Sequence, residues 1–223
     1  MSVSRGYYLD RHEAGRVLAK HLKHWKGQPD LLVLGIPRGG VVVAAEVAEA
    51  LGAPLDILPA RKIGAPGNPE FALGAVAEDM VYIDERLIES LGISRSYVEG
   101  EALRQQALSR LQGQRLRGGL PPLPIEGRTV ILVDDGVATG ATVQAALLAL
   151  QTKAPRRRIL AVPVAPPAAV ERLRAAADEV ICPLMPEEFW AVGQFYEDFR
   201  QVSDEEVIRL IQRRRGAGQG AAQ

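Results

Sequence analysis

The chain has one cysteine, no apolar run of membrane-spanning length and no excess of either charge sign. A lone Cys182 excludes an internal disulfide framework and suits a reducing compartment. Lysine plus arginine and aspartate plus glutamate both number 27, so no global field attracts nucleic acid or an anionic membrane. The first residues also lack the hydrophobic region of a signal peptide. We therefore expect a soluble cytoplasmic protein with no membrane or nucleic acid partner.

The hydrophobic pattern alternates between strand-like and helix-like segments. A length of 223 residues, 47% of them hydrophobic, suits one globular domain, which we assign to residues 1–215, followed by a disordered tail at 216–223. Asp10 followed by Glu13 predicts a capping box at the first helix. The predicted strands are 31–35, 55–59, 72–77, 80–83, 130–133, 159–163 and 179–182, and the predicted helices are 10–25, 40–51, 95–116, 143–150 and 167–177. This alternation predicts an α/β fold, with a mostly parallel sheet flanked by helices and ligands at the carboxyl ends of the strands.

The segment from Val130 to Thr142 is the most informative part of the chain. An apolar run of strand length ends in two adjacent acids, and a turn rich in threonine and glycine then opens a helix. Free amides at a helix start bind phosphate, and Gly140 lets the backbone approach it while Thr139 and Thr142 add hydroxyl donors. Two acids at a strand end can accept hydrogen bonds from a vicinal diol. The pattern predicts a sugar-phosphate site.

These thirteen residues resemble the phosphoribosyl pyrophosphate (PRPP) signature of type I phosphoribosyltransferases. The resemblance implies that Asp134 and Asp135 are catalytic and bind the ribose hydroxyls. It also implies a 5′-phosphate site formed by Val137, Ala138, Thr139, Gly140, Ala141 and Thr142. The alternative is a buried parallel strand with an ordinary turn, in which Asp135 is only a helix cap; two acids at a strand end argue against it, because their desolvation needs a reason.

A second loop between a strand and a helix covers residues 35–41. Gly39 and Gly40 expose backbone amides, and Arg38 adds a guanidinium suited to phosphate oxygens. The loop resembles the pyrophosphate loop of the same family. This resemblance implies an unusual peptide bond at Pro37–Arg38, with the cis and trans forms equally expected. Two alternatives remain: a dinucleotide-binding turn with Asp56 as the ribose acid, and a turn without a ligand.

The third segment, residues 60–78, carries Arg61 and Lys62 after a strand. Its glycines and prolines at 64–69 favour an ordered hinge over regular structure. The position resembles the mobile flap that closes over pyrophosphate, which implies that Arg61 and Lys62 bind pyrophosphate and that Lys62 is catalytic. A surface hairpin with two solvated cations is the alternative.

Nearly half of the aromatic residues follow the last predicted strand, between residues 189 and 199. The segment resembles the hood of 6-oxopurine phosphoribosyltransferases, which implies base binding by Trp190 and Val192 and an acid, Glu197, near metal-bound pyrophosphate. The core would then cover about 30–182, and the hood about 1–27 and 183–215. A plain hydrophobic core is the alternative for these aromatics.

One residue departs from the 6-oxopurine pattern. Ala138 stands where those enzymes usually carry an acid that exchanges a proton with the base, whereas adenine- and uracil-type members also have alanine there. The remaining candidates for a general acid are Glu70, Glu78, Glu187 and Glu188.

The resemblance implies a Mg²⁺-dependent phosphoribosyltransferase that joins PRPP to a small-molecule base and releases pyrophosphate, most simply as a homodimer. Substrate oxygens would hold most of the magnesium coordination sphere. Two other functions remain open: a PRPP-sensing regulator without catalysis, and a phosphoribosyl hydrolase or phosphorylase.

Overall fold

The computed structural model describes residues 6–219 and contains a parallel five-stranded sheet. Its strands run in the order β2-β1-β6-β7-β8, all in parallel. They are β1 (Leu31–Gly35), β2 (Leu55–Ile57), β6 (Thr129–Val133), β7 (Arg157–Ala161) and β8 (Glu179–Ile181). The helices are α1 (Arg11–His21), α2 (Gly39–Leu51), α3 (Glu85–Leu91), α4 (Arg95–Leu116), α5 (Ala141–Gln151), α6 (Pro167–Leu173) and α7 (Asp204–Gln219), with 3₁₀ turns at Lys23–Trp25 and Val192–Phe195. The predicted α/β fold with a mostly parallel sheet is confirmed.

Apolar strands at the centre of the sheet explain this architecture. Every residue of β1 and β6 is buried, as expected for parallel strands that are covered on both faces. One core cluster joins alternate residues of these strands to α1 and α2, and a second joins the remaining residues to α5 and α6. Because side chains alternate along a strand, each face of the sheet has its own hydrophobic layer.

Local sequence signals set the start of α1 much as predicted. The Asp10 carboxylate accepts a hydrogen bond from the Glu13 amide at 2.7 Å, as in a capping box. The reciprocal bond differs, because the Glu13 carboxylate accepts from the Leu9 amide at 2.6 Å rather than from the amide of Asp10. The helix also ends at His21, earlier than expected, and only a 3₁₀ turn continues to Trp25.

A second sheet differs from the sequence prediction. It is antiparallel, in the order β3-β4-β5, with strands Ala60–Ala65, Asn68–Ala77 and Met80–Ile83. The expected hinge at 64–69 is instead the end of a hairpin, with register shifts between Ile63 and Ala65 and a turn at 66–67. Glycine and proline punctuate a hairpin as well as a hinge, so the residues alone did not distinguish the two.

A buried ion network fixes the root of this second sheet to the parallel sheet. Arg117, which is 2% exposed, contacts Asp56 at 2.7 Å through Nε and also pairs with Glu78. Its Nη2 donates to the carbonyl oxygen of Ile57 at 3.0 Å. From α7, the Arg215 guanidinium lies 2.7 Å from the second oxygen of Asp56. Asp56 is therefore a structural anchor here, which removes the dinucleotide-binding alternative that used it as a ribose acid.

The C-terminal helix also corrects the expected tail. Helix α7 extends to Gln219, so residues 216–219 are helical where a disordered tail was predicted from their glycine and alanine content. Residues 220–223 lie outside the described residues. Across residues 6–219, no helix is both long and apolar enough to cross a membrane.

Candidate functional site

The two loops singled out from the sequence meet at the carboxyl edge of the parallel sheet. Strands β1 and β6 are neighbours, and Gly35 is the register partner of Val133. The chain leaves β1 toward β2 on one side, and it later returns through β6 on the other side. The loops after β1 and β6 therefore diverge at the point of an open α/β sheet where ligands bind.

The two acids after β6 lie in a mostly buried environment. Asp134 Oδ1 accepts the amide of Asp135 at 2.9 Å, and Asp135 Oδ2 lies 2.7 Å from Nε of Arg11. Burial and the charge of Asp135 raise the pKa of Asp134 well above its ordinary value. Burial also raises the pKa of Asp135, while the Arg11 guanidinium opposes that rise. Burial therefore disfavours the ionised forms of both acids, and the Arg11 guanidinium stabilises the ionised form of Asp135.

Two glycines of the first loop allow it to pack directly on these acids. A Cβ at Gly39 would overlap Oδ2 of Asp135 and would lie 2.7 Å from Nε of Arg11. A Cβ at Gly40 would lie 2.8 Å from Cα of Asp134 and 2.9 Å from the carbonyl oxygen of Val133. Both distances are shorter than real contacts, so the two loops touch because both residues lack side chains.

The turn after the acids presents a row of backbone amides. Gly140 has φ of 80°, a left-handed conformation that favours glycine, and α5 starts at the next residue. The Val137 amide donates to the carbonyl oxygen of Val164 at 2.9 Å, and the Gln144 amide donates to that of Gly140 at 2.8 Å. Between these two residues, no amide of residues 138–143 has a backbone acceptor among the described residues. The last three of these amides belong to the first turn of α5, where helix geometry leaves amides unpaired. The Val137 side chain is buried, and its amide is already paired with Val164.

Arg38 adopts the unusual geometry that was expected but already has an ion-pair partner. The Pro37–Arg38 peptide is cis. The Arg38 Nε lies 2.8 Å from Oδ1 of Asp204, and the Arg115 Nη2 lies 2.6 Å from the other oxygen of the same carboxylate. The Arg38 guanidinium borders a cavity of about 450 Å³ that Arg11, Gly39 and Phe199 also line. Asp204, the first residue of α7, contacts this guanidinium from the other side.

The hairpin places Arg61 and Lys62 on β3, and both side chains are half-buried. The Nε of Arg61 donates to Oε1 of Gln105 on α4 at 2.8 Å, so this cation has a protein partner. Lys62 pairs in register with Ala75 of β4. Strands β3 and β4 also contact α5, whose first turn contributes to the amide row.

The aromatic segment divides into a buried part and an exposed part. Phe189, Phe195 and Tyr196 join Tyr8 in one core cluster. Trp190 differs, because it is 87% exposed. A Cβ at Gly136, beside the two acids, would overlap Cγ1 of Val192. The core alternative is thus right for the buried aromatics, but it does not describe Trp190.

The acid candidates are spread across several environments. Glu78 is engaged by Arg117, while Glu187, Glu188 and Glu197 are exposed. The side chain of Glu70 lies outside the described part of the structure. In that part, no group of three or more histidine, cysteine, aspartate or glutamate side chains is arranged to hold a metal ion.

Comparisons with known proteins agree with this geometry. A family model of the phosphoribosyl transferase domain matches residues 8–200. The chain belongs to that family. Two curated proteins of Mycobacterium tuberculosis, from strains CDC 1551 / Oshkosh and ATCC 25618 / H37Rv, carry names that place them provisionally among phosphoribosyl transferases. Each is 41% identical over 205 residues, with 92% of this chain and 46% of the relative aligned, so the chain spans about half the length of these curated relatives.

A solved structure is also similar to this phosphoribosyl transferase domain. The crystal structure of TT1426 from Thermus thermophilus has a TM-score of 0.86 and 47% sequence identity. The match covers 93% of this chain and 99% of the other. The mostly parallel sheet with flanking helices is therefore shared over nearly the whole of that protein.

Sequence reasoning missed Arg11, which the structure places at this candidate site. Arg11 is the first residue of α1, yet its side chain reaches Asp135 and the C-terminal segment. The signal available in the sequence was a basic residue directly after the Asp10 helix cap, an uncommon charge for the first turn of a helix. That signal marks Arg11 as unusual, but it does not identify a partner 124 residues away.

Proposed function

We propose that this protein transfers the ribose 5-phosphate group of PRPP to a nitrogenous base or a related nucleophile and releases pyrophosphate. The observation that carries the proposal is the buried pair Asp134 and Asp135, in contact with Gly39 and Gly40 and followed by a row of unpaired amides. Two acids can bind the ribose hydroxyls, and the two flanking loops can bind a phosphate at either end of the sugar.

The roles within the site follow from position. The amides of residues 138–143, with the Thr139 and Thr142 hydroxyls, would bind the 5′-phosphate at the start of α5. Amides of the first turn of α2, together with Arg38, would bind pyrophosphate, and Arg61 and Lys62 would approach it from the hairpin. Binding would require Arg38 to share or exchange its Asp204 partner.

Trp190 and Val192 are the proposed base-binding residues. Trp190 is 87% exposed, which suits stacking on a base, and Val192 packs beside Gly136 next to the acids. Ala138 supplies no proton at this position, so the acceptor base is open between purines and pyrimidines. Assembly as a homodimer and a cytoplasmic location stay predictions.

Magnesium fits the donor chemistry of the site, because carboxylate and phosphate oxygens are its preferred ligands. Substrate oxygens would hold most of the ion, with the exposed Glu197 carboxylate as the candidate protein ligand. When bound, the ion would neutralise negative charge that develops on the departing pyrophosphate.

The deciding experiment measures pyrophosphate release from PRPP and Mg²⁺ with a panel of purine and pyrimidine bases. We expect release with at least one base. Release of ribose 5-phosphate without any base would indicate a hydrolase, and PRPP binding without any release would indicate a sensor.

Lys62→Ala separates catalysis from binding when the PRPP dissociation constant is measured together with pyrophosphate release. We expect turnover to fall far more than PRPP affinity, because a contact made mainly in the transition state acts on rate. Lys153→Ala is the matched control, since Lys153 pairs with Asp79 on the surface. Equal losses of rate and affinity would make Lys62 a ground-state anchor instead.

A further inference from the structure

Arg11 has more specific contacts than the start of a helix requires. Its Nε contacts Asp135, its Nη1 donates to the carbonyl oxygen of Arg200 at 2.9 Å, and its guanidinium carbon lies 3.9 Å from the centre of the Phe199 ring. The side chain is only 10% exposed. A guanidinium held by an acid, a carbonyl and an aromatic face has one fixed orientation, because its donors form a rigid planar fork.

The fixed orientation of Arg11 is passed on to Asp135. The Oδ2 atom of this acid points at Arg11, which leaves the other oxygen and the remaining lone pairs for a ligand. The Tyr196 hydroxyl donates to the backbone oxygen of the same residue. Asp135 is thus held through its side chain by α1 and through its backbone by the C-terminal segment.

We propose that Arg11 is a positioning residue that orients Asp135 toward the ribose hydroxyls of PRPP. The inference rests on the proposed function and deepens it, because it assigns a task to the N-terminal helix and to Phe199. The raised pKa of Asp134 supports the need for such a cation: two adjacent buried acids repel each other, and Arg11 is the guanidinium that contacts one of them.

Arg11 also lines the cavity beside the proposed pyrophosphate loop. Direct binding of phosphate by Arg11 is therefore the role that must be distinguished from positioning of Asp135. A direct phosphate ligand would contribute to the binding of PRPP and of inorganic pyrophosphate alike. A residue that orients a ribose-binding acid would contribute to PRPP binding only. The two ligands therefore distinguish the roles.

The test measures dissociation constants of PRPP and of inorganic pyrophosphate, both with Mg²⁺, for the full chain. We expect Arg11→Met to weaken PRPP binding about 10- to 100-fold, as for the loss of a charge-assisted hydrogen bond, and to leave pyrophosphate binding within about twofold. Arg11→Lys keeps the charge without the planar fork and should give an intermediate loss. Arg16→Met on the same helix is the control, because Arg16 is exposed and lies 3.9 Å from Glu46, away from the acids.

Each outcome either supports or overturns the positioning role of Arg11. Equal losses for both ligands would make Arg11 a phosphate ligand, and unchanged PRPP binding in folded Arg11→Met would also overturn the inference. If Arg11→Met unfolds, Arg11→Lys carries the same comparison. Absence of PRPP binding by the unaltered protein would instead defeat the proposed function, and this inference with it.

Discussion

Gly39→Ala is the sharpest single test of the contact between the two loops. The added methyl would overlap Oδ2 of Asp135 and would lie 2.7 Å from Nε of Arg11. Both atoms are at the ends of side chains, so the carboxylate and the guanidinium can move apart while the backbone stays in place. Gly40→Ala differs, because its methyl would meet Cα of Asp134. The Gly39 variant should therefore damage the site selectively.

The magnitude follows from the interaction that is displaced. The pair is mostly buried, with side chains 10% and 16% exposed, and a hydrogen bond to a charged group contributes about 1.5–3 kcal/mol. We expect the dissociation constant for PRPP to rise about 10- to 150-fold if this orientation is lost. Replacing glycine by alanine in a helix interior gains about 0.5–1 kcal/mol, and less at the first helical residue, so a net loss of stability of roughly 0.5–3 kcal/mol should remain.

The assay pairs PRPP calorimetry with thermal unfolding. Gly100→Ala on α4 is the matched control, because a Cβ there meets nothing within 4 Å. The control should bind PRPP normally and be slightly more stable. Normal PRPP affinity in folded Gly39→Ala would refute the reasoning, since the acid would then tolerate displacement.

Three further predictions concern other parts of the molecule. Asp134→Asn should abolish PRPP binding yet raise the unfolding temperature at pH 7. Folding raises the pKa of this acid, so its ionised form destabilises the fold, and the gain in unfolding temperature should vanish as the pH falls toward the ordinary aspartate pKa. Arg117→Met should cost about 3–5 kcal/mol in chemical denaturation by removing the buried guanidinium that pairs with both Asp56 and Glu78, whereas Arg104→Met at an exposed pair should cost about 0–1 kcal/mol. Trp190→Ala should raise KM for the base about 5- to 150-fold, with an unchanged melting curve.

Local patterns made some of the architecture predictable. The run from Val130 to Thr142 contains its own strand, turn and helix start, so the sequence was sufficient to place the two acids at the end of a central strand. The region at 64–69 was misassigned because its glycines and prolines fit a hinge and a hairpin equally well. Pairing with β4 decided between them.

The missed contacts are long-range and therefore absent from any local pattern. Arg11 and Asp135 are 124 residues apart, and Arg117 and Asp56 are 61 residues apart. A charged residue in a sequence has a solvated surface as its ordinary environment, and only the packing of distant elements decides which ones become buried partners.

The Arg117 network has a mechanical consequence for the hairpin. The root of the hairpin is clamped where Arg117 binds Glu78, and the register irregularity lies between Ile63 and Ala65. Lys62 precedes that irregularity, on the clamped side, and the turn at 66–67 lies beyond it. Only Gly64 and Ala65 of β3 lie at or beyond this irregularity, so we expect bending near Gly64 to move the turn at 66–67 while Lys62 remains stationary. Lys62 would then be a cation in a fixed position, and only the turn at 66–67 would move over the bound ligand.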